Sequence, residues 1–359
     1  MTIYLQVVSM SYFHNKKLWI MSLLKNNAQH RKLKSDIKFL QNQITQIRDN
    51  WVNDFKTLIE QNRILSQTCN SLEQQNKDLQ NQVLKNLNFI KKLTPQANLE
   101  FVEVHLVEHC NLNCFGCNHF SQLADEGYTD TKEFDKDMEQ LAKITQGNIN
   151  RFHLMGGEPL LHPNHTEFFK ITRKHFPKSQ IWLVTNGILL ESRDEKFWQV
   201  CKDEKIQIRP TKYPIKINWN FIQNKCKEYE IPLIFYNNAN IEKTSYQLLL
   251  DKNGKQDPFR SFINCHQANW CIRLHKGKLC TCTVAVSIEH FNKKFNSDFP
   301  MDYNNYLDIY KIENYSEILR FLAQPIPFCR YCKMGEWKSI GSWRRSKKIE
   351  TEYTQEFKE

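Results

Sequence analysis

The sequence predicts an α/β fold: a parallel sheet with crossover helices, preceded by a long coiled-coil helix and followed by a small cysteine-rich domain. Three observations carry that reading. Strand-length apolar runs alternate with amphipathic stretches between residues 96 and 240. A stretch free of Gly and Pro over residues 33–90 repeats its apolar residues at heptad spacing. Six of the twelve cysteines fall in the last hundred residues. With 40% apolar and 12% aromatic residues in a chain of 359, the composition suits packed cores and excludes disorder throughout.

Residues 1–32 read as an N-terminal segment with two apolar patches, Ile3–Val8 and Leu18–Leu24. His14, Asn15, Lys16 and Lys17 separate them, and neither reaches the roughly 20 apolar residues of a membrane span. No secretory pattern is visible, so a cytoplasmic protein without a transmembrane span is expected. A reducing compartment points clustered cysteines toward metal or redox use rather than disulfides.

Residues 33–95 read as a coiled coil. Leu33, Ile37, Leu40, Ile44, Ile47 and Trp51 step alternately by four and three, and a second step of four to Phe55 makes a stutter. Leu58, Leu65, Leu72 and Leu79 then hold one core position, while Asn62, Cys69, Asn76 and Val83 hold its partner. Core asparagines fix register and strand number at a cost in stability. The pattern predicts a homodimer; the competing reading is a lone amphipathic helix folded back on its own catalytic domain. The formal charge is +11, of which +8 sits in residues 1–95. That excess reads as a solvated helix face, and nucleic acid is not the expected partner.

From residue 96 to 240 the candidate strands are Phe101–Val107, Arg151–Met155, Gln180–Thr185, Ile206–Arg209 and Ile231–Tyr236. Helical stretches near Glu133–Thr145, Thr166–His175, Asp194–Cys201 and Trp219–Tyr229 separate them. Such alternation builds a parallel sheet, either open or closed into a full or partial barrel. In barrels of this kind the chemistry gathers at the C-terminal ends of the strands.

The motifs fall at those ends. The first strand runs into Cys110, Cys114 and Cys117, a CxxxCxxC loop. Thiolates hold iron–sulfur clusters, and three ligands on a four-iron cubane leave one iron open for chemistry. Structural zinc prefers closed four-fold ligation, which this triple fits poorly. The second strand ends in Gly156, Gly157, Glu158 and Pro159, where glycines allow close approach to a ligand and the carboxylate can pair with an ammonium. The third ends in Thr185, Asn186 and Gly187.

Over residues 100–240 the chain resembles the radical S-adenosylmethionine (SAM) superfamily. Cys110, Cys114 and Cys117 match its hallmark residue for residue, Gly156–Pro159 looks like its GGEP motif, and Thr185–Gly187 is similar to its later SAM-contacting segment. One departure is visible: most members carry an aromatic just before the third cysteine, where this chain has Gly116, with Phe115 one place earlier. The resemblance implies a partial (β/α) barrel of the radical SAM type, a SAM-binding [4Fe-4S] cluster and S-adenosyl-L-methionine as cofactors, with Phe115 and Gly116 beside the adenine. It further implies that SAM chelates the open iron, that an electron from an external donor cleaves it, and that a 5′-deoxyadenosyl radical takes hydrogen from a substrate. The cofactor then does the hard step, and no side chain need act as acid or base in the cleavage.

Residues 241–359 read as a small domain held by metal. Cys271, Gly277, Cys280 and Cys282 outline a hairpin with glycine at its turn, and Cys329 and Cys332 form a CxxC. Locally, structural zinc and an iron–sulfur cluster are equal readings. The order of motifs resembles the SPASM or shorter twitch extensions of radical SAM enzymes, which implies a second, auxiliary iron–sulfur cluster. Its ligands are expected to be Cys271, Cys282, Cys329 and Cys332, with Cys265 and Cys280 as alternates. His266, Trp270, Arg273, Arg330, Trp337, Trp343 and Arg344 could line a pocket for an anionic or sugar-like ligand, or could simply pack the tail on the barrel. By analogy with relatives, the substrate is a sugar or other small molecule of a cell-surface glycan pathway; the alternatives are a peptide-modifying maturase and a non-catalytic coiled-coil scaffold with zinc ribbons.

Overall fold

A computed structural model describes residues 28–236 and 240–356; the apolar patches Ile3–Val8 and Leu18–Leu24 lie outside the described residues. The chain divides into two units, one up to Leu84 and one from Lys85 onward. Helix α1 (Ala28–Leu93), 66 residues without a break, supplies the described part of the first, and its last nine residues belong to the second. At roughly 1.5 Å per residue such a helix is about 100 Å long. The side chains of its apolar seam are exposed throughout, Trp51 at 73%. Local pairs such as Arg63 to Glu60 (2.6 Å) decorate its polar faces. No described helix is long and apolar enough to cross a membrane.

The second unit is built on strands β1 (Leu99–Val107), β2 (Ile149–Gly156), β3 (Gln180–Thr185) and β4 (Ile206–Pro210), paired in parallel in the order β4-β3-β2-β1. Helices α2 (Thr131–Thr145), α3 (His165–His175), α4 (Glu195–Asp203) and α5 (Trp219–Glu228) make the crossovers. Their ends are marked in the sequence. Asp130 caps α2 by accepting from the backbone N–H of Lys132 and Glu133 (2.9 Å each), and Asp194 caps α4 through Phe197 N–H (2.9 Å). Gln146 ends α2 in the left-handed conformation, φ 52°.

Alternation along each strand separates two faces. Val102, Val104, Leu106, Phe152, Leu154, Leu183 and Ile208 pack outward against helix residues such as Phe134, Met138, Phe168 and Trp198, forming one core. The opposite positions carry Phe101, Glu103, His105, His153, Trp182 and Arg209, so the inner face is polar and aromatic. The segment 231–236 follows β4 without becoming a regular strand. Ile208 N–H donates to Pro232 (2.9 Å) and Ile234 N–H returns to Ile208 (3.0 Å), but Pro232 has no N–H to extend a ladder.

The C-terminal third joins this sheet. Strand β6 (Arg273–His275) pairs in parallel with β1, and β7 (Lys278–Cys280) and β8 (Leu307–Asp308) follow antiparallel, giving the seven-stranded order β4-β3-β2-β1-β6-β7-β8. Helices α6 (Pro258–Asn264) and α7 (Thr283–Phe295) pack on a second core that contains Phe262, Phe291, Phe328 and Tyr353, while α8 (Tyr315–Leu322) sends Ile318 and Leu322 into the first. A separate two-stranded sheet pairs β5 (Thr244–Gln247) with β9 (Lys338–Ser342). A partial barrel closed on one side by the tail is the resulting architecture.

Candidate functional site

Four loops meet beyond the C-terminal ends of β1 to β4. The first carries the three cysteines, each half-buried. Cys110 Sγ accepts from Leu112 N–H at 3.4 Å and faces Asn186 Nδ2 at 3.9 Å. Cys114 Sγ accepts from the indole N–H of Trp343 at 3.2 Å, with the Tyr213 hydroxyl at 3.7 Å. Burial pushes the thiols of Cys110 and Cys117 up, and the other cysteines of the loop add to it. Burial thus disfavours the free thiolates of Cys110 and Cys117, a preference that a bound cation would reverse.

The glycines of the second loop are there for contact. A Cβ on Gly157 would lie 1.9 Å from the carbonyl oxygen of His109, and one on Gly156, at φ 140°, would lie 2.2 Å from that of Val107. Their absence lets this loop lie directly against the cysteine loop. Glu158 is fully buried, and both of its oxygens are engaged. It accepts from Thr185 Oγ1 (2.7 Å), Asn186 N–H (2.8 Å) and Leu160 N–H (3.2 Å), while burial raises its carboxyl to about 7. The sequence offers this carboxylate an ammonium; in the structure it ties the second loop to the third. Pro159 opens the short 3₁₀ turn that follows.

The third loop reaches back. Asn186 Nδ2 donates to Asn111 Oδ1 at 2.6 Å, and Thr185 Oγ1 accepts from Gly187 N–H at 3.0 Å. Gly187 adopts φ 83° under the ring of Trp219. Gly116, φ 65°, lies under the Tyr246 carbonyl, and Phe115 beside it is buried.

Below these loops the inner face of the sheet holds polar groups without partners. Glu103 Oε2, His105 Nε2, His153 Nδ1, Arg209 Nε and Arg273 Nε are buried and unpaired. Burial raises Glu103 to about 7 against the pull of Arg273. Phe101, His153 and Trp182 stack at 4.2 and 4.8 Å, and the guanidinium groups of Arg151 and Arg209 cover Trp182 at 3.9 and 3.8 Å. The motifs alone do not show this face, but polar residues at alternate positions of otherwise apolar strands, as in β1, are its trace in the sequence.

A second thiol group lies in the tail. Cys265, Cys282, Cys329 and Cys332 line one small cavity with Ala268, Val284, Phe328, Met334 and Trp337. Cys265 follows α6, Cys282 precedes α7, and Cys329 and Cys332 lie at a 3₁₀ turn. Two backbone N–H groups, of Gln267 and Ala268, donate to Cys265 Sγ at 3.3 Å each. Cys271 does not line this cavity; it is hydrogen-bonded to Glu103 and lies close enough to Cys265 and Cys282 to interact with them, and Cys280 touches Cys282 from β7. Cys265, an alternate in the sequence reading, does line it. Among the described residues, no group of three or more His, Cys, Asp or Glu side chains is set up to hold a single metal ion. A cubane distributes its thiolates over separate irons and does not need a single-ion arrangement.

A model described as the Radical SAM superfamily matches residues 104–208. A GTP 3′,8-cyclase of Nautilia profundicola is 26% identical over 101 residues, 28% of this chain and 32% of that one. A probable GTP 3′,8-cyclase of Methanococcus aeolicus is 32% identical over 130 residues, 35% and 36% of the two chains. An S-adenosyl-L-methionine-dependent 2-deoxy-scyllo-inosamine dehydrogenase of Niallia circulans is 31% identical over 93 residues, 26% and 37%. The chain thus spans about a third of the length of the curated relatives it matches. The crystal structure of BtrN in complex with AdoMet and 2-DOIA aligns with 66% of this chain and 93% of that one at 18% identity and a TM-score of 0.40. Residues 104–208, from β1 through the cysteine loop to β4, are a radical SAM domain.

Proposed function

We propose that the protein is an enzyme that cleaves SAM reductively at a [4Fe-4S] cluster held by Cys110, Cys114 and Cys117, and directs the resulting radical onto a small polar substrate. One observation carries this reading. The cysteine, GGEP and TNG loops interlock at the strand ends, with Glu158 joining two of them and Asn186 joining the third to the cysteine loop. When bound, the cluster and SAM supply the radical. The chain's own residues bind and enclose: Gly156 and Gly157 give the ligand backbone to lie against, and Thr185, Asn186 and Gly187 hold the facing wall. Phe115 is buried, and the indole N–H of Trp343 reaches Cys114 Sγ at 3.2 Å, with the Tyr213 ring 5.7 Å from that of Trp343.

The unpaired inner-face groups of Glu103, His105, His153 and Arg209 suit a substrate rich in hydroxyl or charged groups, such as a sugar, which would satisfy donors and acceptors that otherwise cost stability. A relative named for 2-deoxy-scyllo-inosamine supports that class. Cys265, Cys282, Cys329 and Cys332 would hold an auxiliary iron–sulfur cluster, with an external donor supplying electrons and the protein working in the cytoplasm.

Iron and sulfide counts on anaerobically reconstituted protein test this. Wild type is expected to hold roughly eight irons, and the Cys110→Ala/Cys114→Ala/Cys117→Ala variant roughly four and no 5′-deoxyadenosine formation with SAM and dithionite. Zinc without sulfide would sink the proposal.

The exposed heptad seam of α1 would make the protein a dimer. Sedimentation should then show two chains for wild type and one for Leu65→Asp/Leu72→Asp; a monomeric wild type removes the coiled-coil reading.

A further inference from the structure

The tail from Lys338 to Thr354 is strapped across the cysteine loop. Phe115 N–H donates to Arg344 O (3.0 Å) and Ser346 N–H to Asn113 O (2.9 Å), an antiparallel bridge centred on Cys114 and Arg345. Tyr353, wholly buried, donates its hydroxyl to Cys117 O (3.1 Å). Trp343 N–H is held by Lys243 O at 3.2 Å, and Arg344 N–H by Ser245 Oγ at 2.8 Å. The backbone of this strap is therefore fixed on both sides, and the one side chain it aims at a loop sulfur is Trp343, whose Nε1–H meets Cys114 Sγ at 3.2 Å.

We propose that Trp343 sets the reduction potential of the SAM cluster through this hydrogen bond, a role played by the C-terminal strap rather than by the radical SAM domain itself. The inference rests on the cluster proposed at Cys110, Cys114 and Cys117. A donor to a ligand sulfur stabilises the more negative, reduced state, so its loss makes reduction harder. Indole N–H is a donor only, and no acceptor can compete from the same atom. Trp343 is a positioning residue: it acts through Cys114 and touches no reacting atom.

The test is redox titration of reconstituted full-length protein, followed by EPR of the signal that shifts when SAM is added. Trp343→Phe keeps an aromatic ring and deletes the N–H. At a fixed potential its ratio of reduced to oxidised cluster is expected to fall about tenfold, which is about 59 mV for a one-electron couple. Full iron with an unchanged potential overturns the inference and leaves the cluster reading intact. A wild type without a SAM-sensitive signal overturns the cluster reading and this inference with it. If Trp343→Phe does not take up iron, wild type labelled with ¹⁵N in its eight tryptophans replaces it. A ¹⁵N coupling and an exchangeable proton on the reduced, SAM-sensitive signal are expected, and their absence overturns the inference.

Discussion

Replacing Arg273 with methionine is expected to lower the unfolding free energy by about 3–5 kcal/mol, because it strands the carboxylate of Glu108, whose side chain is only 13% exposed. Arg273 is wholly buried on β6. Its Nη2 donates to Glu108 Oε1 at 2.6 Å and its Nη1 to Ser287 on α7 at 2.5 Å. The other oxygen of Glu108 faces His290 Nε2 at 3.1 Å and His105 Nδ1 at 3.3 Å. Burial and the Arg273 charge lower His105 to about 4, so at neutral pH that histidine can offer a neutral N–H but not a compensating charge. Arg273 is thus the permanent cation of the group. Glu108→Gln/Arg273→Met removes both charges and should recover much of the loss, a coupling that a double-mutant cycle in anaerobic urea unfolding reads directly. A cost under about 1 kcal/mol for the single variant would show the pair to be solvated after all.

The same pair gives a pH dependence. Burial alone would raise the Glu108 carboxyl, but the Arg273 charge, together with the hydrogen bonds of His105 and His290, outweighs it and holds it well below the usual carboxylate range. The unfolded carboxyl titrates near about 4.3. Stability from the pair is therefore present above that pH and lost as pH falls through the lower, folded value. In Arg273→Met burial is no longer opposed by that charge and raises the folded carboxyl, so the advantage of wild type should begin to shrink as pH falls through the raised value of the variant and go on shrinking until the lower wild-type value is passed.

The network also marks where sequence reading stops. The strands β1 to β4 and their four crossover helices are visible as alternation and caps, because those signals are local. Glu108 and Arg273 lie 165 residues apart, and β6 is three residues long, too short for any periodicity to announce that it extends the sheet beside β1. The tail cysteines show the same limit. Hairpin spacing favours Cys271, yet the side chain that joins the cavity is decided by where α6 ends, and that places Cys265 there. The three loop motifs were legible because each is a short string at the end of its own strand. Their interlocking through Glu158 and Asn186 was not, since it depends on the spacing between neighbouring strands.

Gly116→Tyr, which would give this chain the aromatic most relatives carry before the third cysteine, is expected to abolish 5′-deoxyadenosine formation rather than improve it. A Cβ at this position would sit 1.8 Å from the Tyr246 carbonyl oxygen and 3.0 Å from its carbon. Those are backbone atoms of β5, paired with β9, so they cannot swing aside as a flexible side chain would. The positive φ of 65° adds about 1–2 kcal/mol for any residue with a Cβ, and forced overpacking typically adds about 1–3 kcal/mol more. The loop and the β5–β9 sheet must separate, which loosens the strap that bonds to Phe115, Asn113 and Cys117. Iron is therefore expected to fall from roughly eight to roughly four per chain, with the tail cluster retained. Because the clash begins at Cβ, Gly116→Ala should show most of the defect and Tyr only somewhat more. A Tyr variant with full iron and wild-type turnover would mean that the strap lifts readily from the loop. The departure from the family pattern at residue 116 is in this way the counterpart of the tail: where the strap crosses the cysteine loop there is no room for a side chain, and the strap brings the Trp343 ring to Cys114 instead.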